Sequence, residues 1–249
     1  MNGSRKTSKG SPNIWRALFL FVKLESVLFR RAFPAMPSDG SRRSVRVSRA
    51  IALDVSNNNP AGLTSVLNSG AVLLICKATE GLWFQDETLA AHRAVAKKLK
   101  IRFGSYMFLH GNAGGANQAK YYVDYARPRP GELVIVDSEE GGQLGATIEE
   151  MAARTHEALV YLKLHGAHPI LYASSSYWTQ LIRYSPALRT YPVWEAQYPK
   201  GISRWFPGLG ALRTRLRHGV TTVLWQFSAA YQVGNRKYDA SLILERNLL

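Results

Sequence analysis

Between Ile51 and Phe227 short apolar runs alternate with segments of helical period, and no other property of this chain narrows its fold as much. Ile51-Ala-Leu-Asp-Val, Val72 to Thr79, Ile101 to His110, Leu133 to Val136, Pro169-Ile-Leu-Tyr-Ala, Pro192 to Gln197 and Val220 to Phe227 read as strands, several of them buried on both faces. Between them, Asp86 to Leu99 carries Leu89, His92, Val95, Ala96 and Leu99 on one side of a helix, with Asp86 placed to cap it. Ala116 to Ala126 is a second helix, stopped by Arg127-Pro-Arg-Pro. Thr147 to His165 and Ser174 to Ile182 are two more. Strands alternating with helices, without an internal break, predict one α/β domain with a mainly parallel sheet.

The stretch Gly131 to Gly142, GELVIVDSEEGG, sits at the middle of this series. Its apolar run leads directly into Asp137-Ser-Glu-Glu and a glycine pair. Side chains alternate along a strand, so Asp137 and Glu139 share a face and Glu140 takes the other. Two carboxylates at the mouth of a buried strand repel each other and lose solvation, which pushes their pKa values apart as an acid/base pair requires. Taken alone, the stretch reads equally well as the solvated start of a loop.

Charge is distributed unevenly. The net charge of +15 is concentrated in residues 1–50, which hold 11 Lys and Arg against 2 Asp and Glu. Residues 1–48 are read as a basic extension, and 49–249 as the folded domain. Positions 1–12 have the composition of disorder. Ile14 to Phe33 reads as a basic amphipathic helix for a membrane or partner surface, or as a leader upstream of a true start at Met36. Its uncharged run, Ala17 to Val22, is too short to span a bilayer, and Lys23 and Glu25 interrupt any signal-peptide core. A basic surface favours anionic partners: nucleic acid, lipid or wall polymer. The single cysteine, Cys76, lies within an apolar run and reads as a small buried hydrophobe.

Several chemistries lack their motifs. No G-x-G-x-x-G follows a strand, and Gly111, Gly114 and Gly115 have the wrong spacing for a phosphate loop. The six histidines are not paired for a metal, so no metal or cofactor is expected. What recurs is acids at strand ends: Asp54, Glu80, Asp137, Glu139 and Asp239. Tyr106, Phe108, Tyr172, Trp194, Tyr198 and Trp225 occupy similar positions. Barrel enzymes place their sites at strand C-termini, and carboxylates with aromatic platforms suit glycosidic cleavage.

The ordered series Asp54-Val-Ser, Lys77-Ala-Thr-Glu-Gly, Gly104-Ser-Tyr-Met-Phe, Asp137-Ser-Glu, Pro169-Ile-Leu-Tyr, Trp194-Glu-Ala-Gln-Tyr, and Trp225-Gln-Phe-Ser followed by Asp239 resembles glycoside hydrolase family 25, the Chalaropsis-type lysozymes and phage endolysins. The resemblance runs from about Ile51 to the C-terminus. It implies an irregular, TIM-like (β/α) barrel and hydrolysis of the β-1,4 bond between N-acetylmuramic acid and N-acetylglucosamine in bacterial peptidoglycan. It assigns Glu139 as general acid, Asp137 as its partner carboxylate, and Asp54 and Asp239 as further acids of the groove. Tyr106, Tyr172, Trp194, Tyr198 and Trp225 then bind sugar, with Glu80 at the edge. Asp137 and Glu139 are about 7 Å apart along one strand, which favours Asp137 as an orienter of the substrate's own acetamido group over a nucleophile. Two positions depart from the family: Asn59 stands where Gln is common, and Met107 where His is.

The resemblance places the site of action at the bacterial cell wall, reached by secretion or by release during lysis. No separate wall-binding module is expected; a basic surface including Arg204, Arg213, Arg215, Arg217 and His218 would substitute by attraction to anionic wall polymers. A barrel that grips glycan without cutting is the alternative, made less favourable by the presence of all four acids. A nucleic-acid binder is suggested by the pI of about 10.1, but the basic residues avoid the aromatic strand ends and no reader motif occurs.

Overall fold

A computed structural model describes residues 50–198, 220–245 and 248. The chain divides into two units at residues 45 and 46, and all described residues belong to the second. The basic extension, and with it the helix expected at Ile14 to Phe33, lies outside the described residues.

The elements follow in the order β1 (Ile51–Val55), α1 (Leu63–Ser69), β2 (Ala71–Glu80), β3 (Phe84–Gln85), α2 (Leu89–Leu99), β4 (Arg102–Phe108), α3 (Gly115–Ala126), β5 (Leu133–Asp137), α4 (Ile148–Leu164), β6 (Ile170–Ser174), α5 (Ser175–Tyr184), β7 (Val193–Ala196), β8 (Thr222–Val233) and β9 (Arg236–Ile243). Hydrogen bonding runs β1-β9-β8-β7-β6-β5-β4-β2, and pairing of β1 with β2 closes the ring, with β3 attached outside as a short spur. Eight strands therefore form a closed barrel. All neighbours around it are parallel except β9, which is antiparallel to both β1 and β8. The α/β barrel expected from the sequence is the fold observed, with β9 its irregularity.

Alternation sorts the side chains into two cores. Ala52, Leu73, Ile75, Ile135, Ile170, Trp194 and Leu224 fill the barrel interior. Leu53, Leu74, Cys76, Met107, Val136, Leu171 and Phe227 face outwards against the helices, with Tyr122, Leu159 and Tyr177. Apolar residues in succession, as in Leu133 to Val136, are thus needed on both faces, which is why these strands read as continuous apolar runs.

The longest helix begins at a capping box. The Thr147 hydroxyl accepts from the Glu150 amide, and the Glu150 carboxylate accepts from the Thr147 amide. At the start of α2, Asp86 accepts from the Thr88 amide at 2.9 Å and from the Asn57 amide at 2.8 Å. The acid read as a cap thus also ties the loop after β1 to this helix. Cys76 is fully buried, with its thiol 3.2 Å from His92 Nδ1. Three elements were not legible in the sequence: the short helix α1, the two-residue strand β3, and β9, which carries Asp239.

Candidate active site

Parity along the strands decides what reaches the barrel mouth. Asp54 on β1, Tyr106 on β4, Asp137 at the end of β5, Tyr172 on β6, Trp194 on β7, Gln226 on β8 and Asp239 on β9 all share the inward phase of their strands. Asp54 and Asp239 are register partners, as are Tyr172 and Trp194, whose rings meet edge to face at 4.6 Å. Glu139 follows β5 in extended conformation, keeping the phase of Asp137. Glu140 opens a short 3-10 turn and is exposed.

Local irregularity places a cation here. The pairing of β2 with β4 slips between Lys77 and Thr79, so Lys77 lies beside Tyr106 and Glu80 beside Phe108. Without that bulge, residues three apart would face opposite sides; with it, Lys77 and Glu80 meet in an ion pair. Lys77 also lies 5.5 Å from the Phe84 ring centroid and 5.0 Å from that of Phe108. Glu80 accepts as well from His110 Nε2 at 2.9 Å. Burial alone would raise the Glu80 carboxyl, but the Lys77 and His110 hydrogen bonds outweigh it and hold it below the ordinary range.

The four acids form one electrostatic cluster. Burial pushes Asp54 well up, reinforced by Asp239 and Glu139. Asp137 is likewise pushed well up by burial and then by Glu139 and Asp54. Burial raises Glu139 too, outweighing the opposing influence of the Tyr172 hydroxyl. Asp239 is pushed up to about 6, by burial and then by Glu139. Lys77 opposes the shifts of Asp54, Asp137 and Glu139. Such a cluster retains protons at a pH where isolated carboxyls have lost them.

Polar links hold the aromatic wall. Tyr172 and Tyr198 both donate to Gln226 Oε1, at 2.8 and 2.7 Å, and Gln226 Nε2 donates to Asp54 Oδ2 at 3.3 Å. Trp194 Nε1 donates to Ser241 Oγ at 2.9 Å. Tyr198 is exposed and burial raises its phenol to about 12. At the β2–β3 turn the Trp83 ring rests 4.6 Å from the His110 ring yet remains 54% exposed. It fits because residue 81 is glycine: a Cβ there would sit 2.3 Å from the ring. Gly142 is equally constrained, since a Cβ would lie 2.2 Å from the Leu109 carbonyl oxygen. That contact and the Gly111 N–H bond to Gly142 O, at 2.7 Å, clamp the loop carrying Glu139 against the loop after β4.

Two expectations require correction. Trp225 takes the outward phase of β8, is 3% exposed, packs against Phe227 and donates to Gln197 O at 2.9 Å; it supports the barrel from outside and does not line the groove. Asp239 lies inside an antiparallel strand, not at the end of an apolar run. Asn59 is consumed by its own turn, accepting from the Ser56 amide at 2.8 Å, so it does not extend into the groove. Met107 is fully buried in the outer core, away from the acids. Arg204, Arg213, Arg215, Arg217 and His218 lie outside the described residues. No group of three or more His, Cys, Asp or Glu among the described residues is arranged for a metal ion.

Lys77, Trp83, His110 and Gln226 are the parts that sequence reasoning passed over. For Gln226 a signal existed: an amide within Val223-Leu-Trp-Gln-Phe has to find partners once that strand is buried.

Comparison with known proteins decides the family. The family model described as "Glycosyl hydrolases family 25" matches residues 53–235. The chain belongs to glycosyl hydrolases family 25. The family 25 match stops just before β9, so Asp239 lies beyond it. Among solved structures, the chain is similar to a bacterial lysozyme from Streptomyces coelicolor, with 23% identity, a TM-score of 0.65, and coverage of 79% of this chain and 92% of that one. It is similar to a muramidase from Trichobolus zukalii, at 23% identity and TM-score 0.62, covering 78% and 93%. A third is the catalytic domain of endolysin ply40 from the Listeria monocytogenes bacteriophage P40, at 19% identity and TM-score 0.59, covering 81% and 95%. At these identities the likeness shows the fold. A search of curated proteins finds no match.

Proposed function

We propose that this family 25 glycoside hydrolase is a peptidoglycan-cleaving N-acetylmuramidase, acting on the β-1,4 bond between N-acetylmuramic acid and N-acetylglucosamine. The observation that carries this reading is the convergence of Asp54, Asp137, Glu139 and Asp239 at the barrel mouth beside Tyr106, Tyr172 and Trp194.

Glu139 is the general acid. Its raised pKa keeps the proton that the glycosidic oxygen takes as the bond to the anomeric carbon breaks. Asp137 is buried, and its Oδ1 has no hydrogen-bond partner. A buried acceptor without a donor is costly, and a substrate acetamido N–H satisfies it. Held this way, the acetamido oxygen attacks the anomeric carbon, and Asp137 supports the positive charge that develops on the ring formed. Water then attacks the same carbon and gives its proton to the Glu139 carboxylate, restoring the acid. Asp239, raised only to about 6, is the one of the two further acids that ionises at neutral pH and keeps the local field negative where the oxocarbenium-like charge appears.

Tyr106, Tyr172, Trp194 and Tyr198 supply sugar-facing surface, with Glu80 and Trp83 at the edge. The substrate is the bacterial wall, reached by secretion or by release during lysis, and the net charge of +15 favours approach to anionic wall polymers. No helix among the described residues is long and apolar enough to cross a membrane. Mass spectrometry of peptidoglycan digests tests the reading: muramic acid at the new reducing ends supports it, and glucosamine there overturns it.

A further inference from the structure

The hairpin of β8 and β9 continues past the acids, pairing Tyr231 with Tyr238, Gln232 with Lys237 and Val233 with Arg236. The extra residues of this ladder all fall on β8, so β9 alternates without a break. Tyr238, Ala240 and Leu242 join the outer core, Ile243 joins the inner one, and Ser241 accepts from Trp194 inside the barrel. By the same parity Lys237 shares the cleft face with Asp239, about 7 Å further out along the strand. The hairpin tip is pinned from its other face. Arg236 donates to Pro60 O at 3.1 Å, Tyr231 packs edge to face on Phe227 at 5.9 Å, and Val233 and Tyr238 are buried. Two cations therefore lie on the cleft side. Lys77 is tied to Glu80, whereas Lys237 is exposed and makes no ion pair among the described residues.

We propose that Lys237 is a specificity-determining residue that binds a carboxylate of the peptide stem carried by N-acetylmuramic acid. The mouth is built around four acids, so an anionic substituent on the sugar is repelled there unless a cation meets it. Peptidoglycan has such substituents. The lactyl ether of each N-acetylmuramic acid bears a short peptide with free carboxylates, which project from the glycan chain towards the lip of a groove and not its floor. Lys237 stands at that lip. Its flexible stem and three rotatable donors suit a carboxylate on a mobile peptide, where a fixed bidentate fork would not. A phosphate of a wall polymer carries the same kind of charge, but a stem carboxylate is tethered to the sugar already held in the groove, which raises its effective concentration at Lys237. The proposal rests on the peptidoglycan reading above, and it adds a contact that selects among walls by the state of their stem carboxyls.

Amidation of the wall carboxyls tests it. The substrate is peptidoglycan stripped of phosphate polymers with hydrofluoric acid, used either as it is or with its carboxyls converted to amides by carbodiimide and ammonia. On the unamidated wall, Lys237→Met is expected to raise KM about 3–5-fold, the upper range for an exposed ion pair, with kcat unchanged, and Lys237→Arg to keep the parent KM. On the amidated wall the parent protein and Lys237→Met are expected to share one KM. Lys98→Met removes the same charge from an exposed position on α2, outside the barrel, and is expected to leave KM unaltered. These results together support the proposal. It is overturned by an unaltered KM in Lys237→Met, by an equal rise in Lys98→Met, by a difference that survives amidation, or by one seen only on wall that retains its phosphate polymers. Absence of turnover by the parent protein on unamidated wall is a separate result, which overturns the muramidase reading and this proposal with it.

Discussion

Asp54 and Asp239 are direct partners across the antiparallel β1–β9 ladder, with their carboxyls on the inner face of the barrel. Side chains directly opposite on one face have Cβ atoms about 4.5–5.5 Å apart, and like charges at that spacing destabilise a sheet. Asp239, raised to about 6, binds its proton more tightly in the folded chain than at the ordinary value of 3.8. Its contribution to stability is therefore fullest below pH ~4 and is lost as pH rises to ~6. Asp239→Asn removes that loss. We expect a gain of ~2 kcal/mol at pH 8, seen as a Tm several degrees higher, and almost none at pH 4. Equal gains at both pH values in thermal melts would refute this origin.

Removal of the acid itself has a different signature. Glu139→Gln retains shape and hydrogen bonding but has no proton to give. Clearing of peptidoglycan suspensions is expected to slow by about 10²–10⁴-fold, the usual range for a general acid, with the circular dichroism spectrum unchanged. Activity within tenfold of the parent protein would remove Glu139 from that role.

Lys77 lowers the proton affinity of Asp54, Asp137 and Glu139 together. Without this cation each carboxyl ionises less readily, so Lys77→Met is expected to move both limbs of the kcat/KM–pH profile to higher pH, by about half to one unit. A profile that falls in height without moving would mean that Lys77 serves only the ion pair with Glu80.

Trp83 is 54% exposed while Gly81 and His110 pack against its ring. As an edge platform for a further sugar, its loss matters most on long glycan. For Trp83→Ala we expect KM on polymeric peptidoglycan to rise about 5–10-fold, about 1–1.4 kcal/mol of stacking, with kcat nearly unchanged. An unaltered KM on polymer would remove Trp83 from the groove.

The clamp behind the acid is testable through one methyl group. In Gly142→Ala the new Cβ meets the Leu109 carbonyl oxygen at 2.2 Å, forcing apart the loops after β4 and β5. A displacement of about 1 Å costs ~10²-fold in turnover when it moves a catalytic group. We expect kcat to fall by at least tenfold, with the protein still folded by circular dichroism; an unchanged kcat would show that the Glu139 loop does not depend on this contact.

The barrel staves were legible because each one covers two cores. Leu133 to Val136 is apolar at every position for that reason, and its length and the acids beyond it separate it from a helix. β9 was not legible because Arg236-Lys-Tyr-Asp-Ala-Ser has neither a continuous apolar run nor clean alternation. The turn signal Gly234-Asn235 after Val233 could have disclosed the hairpin. Asp54, Asp137 and Glu139 could be read from strand ends, and Asp239 from the ordered family motifs alone. Trp225 misled because sequence gives the spacing of an aromatic residue but not its phase. Only the register of β8, which sets Trp225 beside Glu195 and Trp194 beside Leu224, turns Trp225 outwards. Lys77 shares a side with Glu80 only through a bulge, and bulges leave no mark in a periodicity of two.

The stave that closes the barrel is also the one that delivers the fourth acid, and it is the last strand to leave the ribosome among those described. Until Arg236 to Ile243 has been made, β1 and β8 have bare edges and Asp54 has no opposing carboxyl. A chain that ends between Val233 and Arg236 lacks both Asp239 and the strand whose pairing with β1 and β8 closes the barrel. Of the four acids, Asp239 is the last to be synthesised, so the set is complete only once β9 has been made.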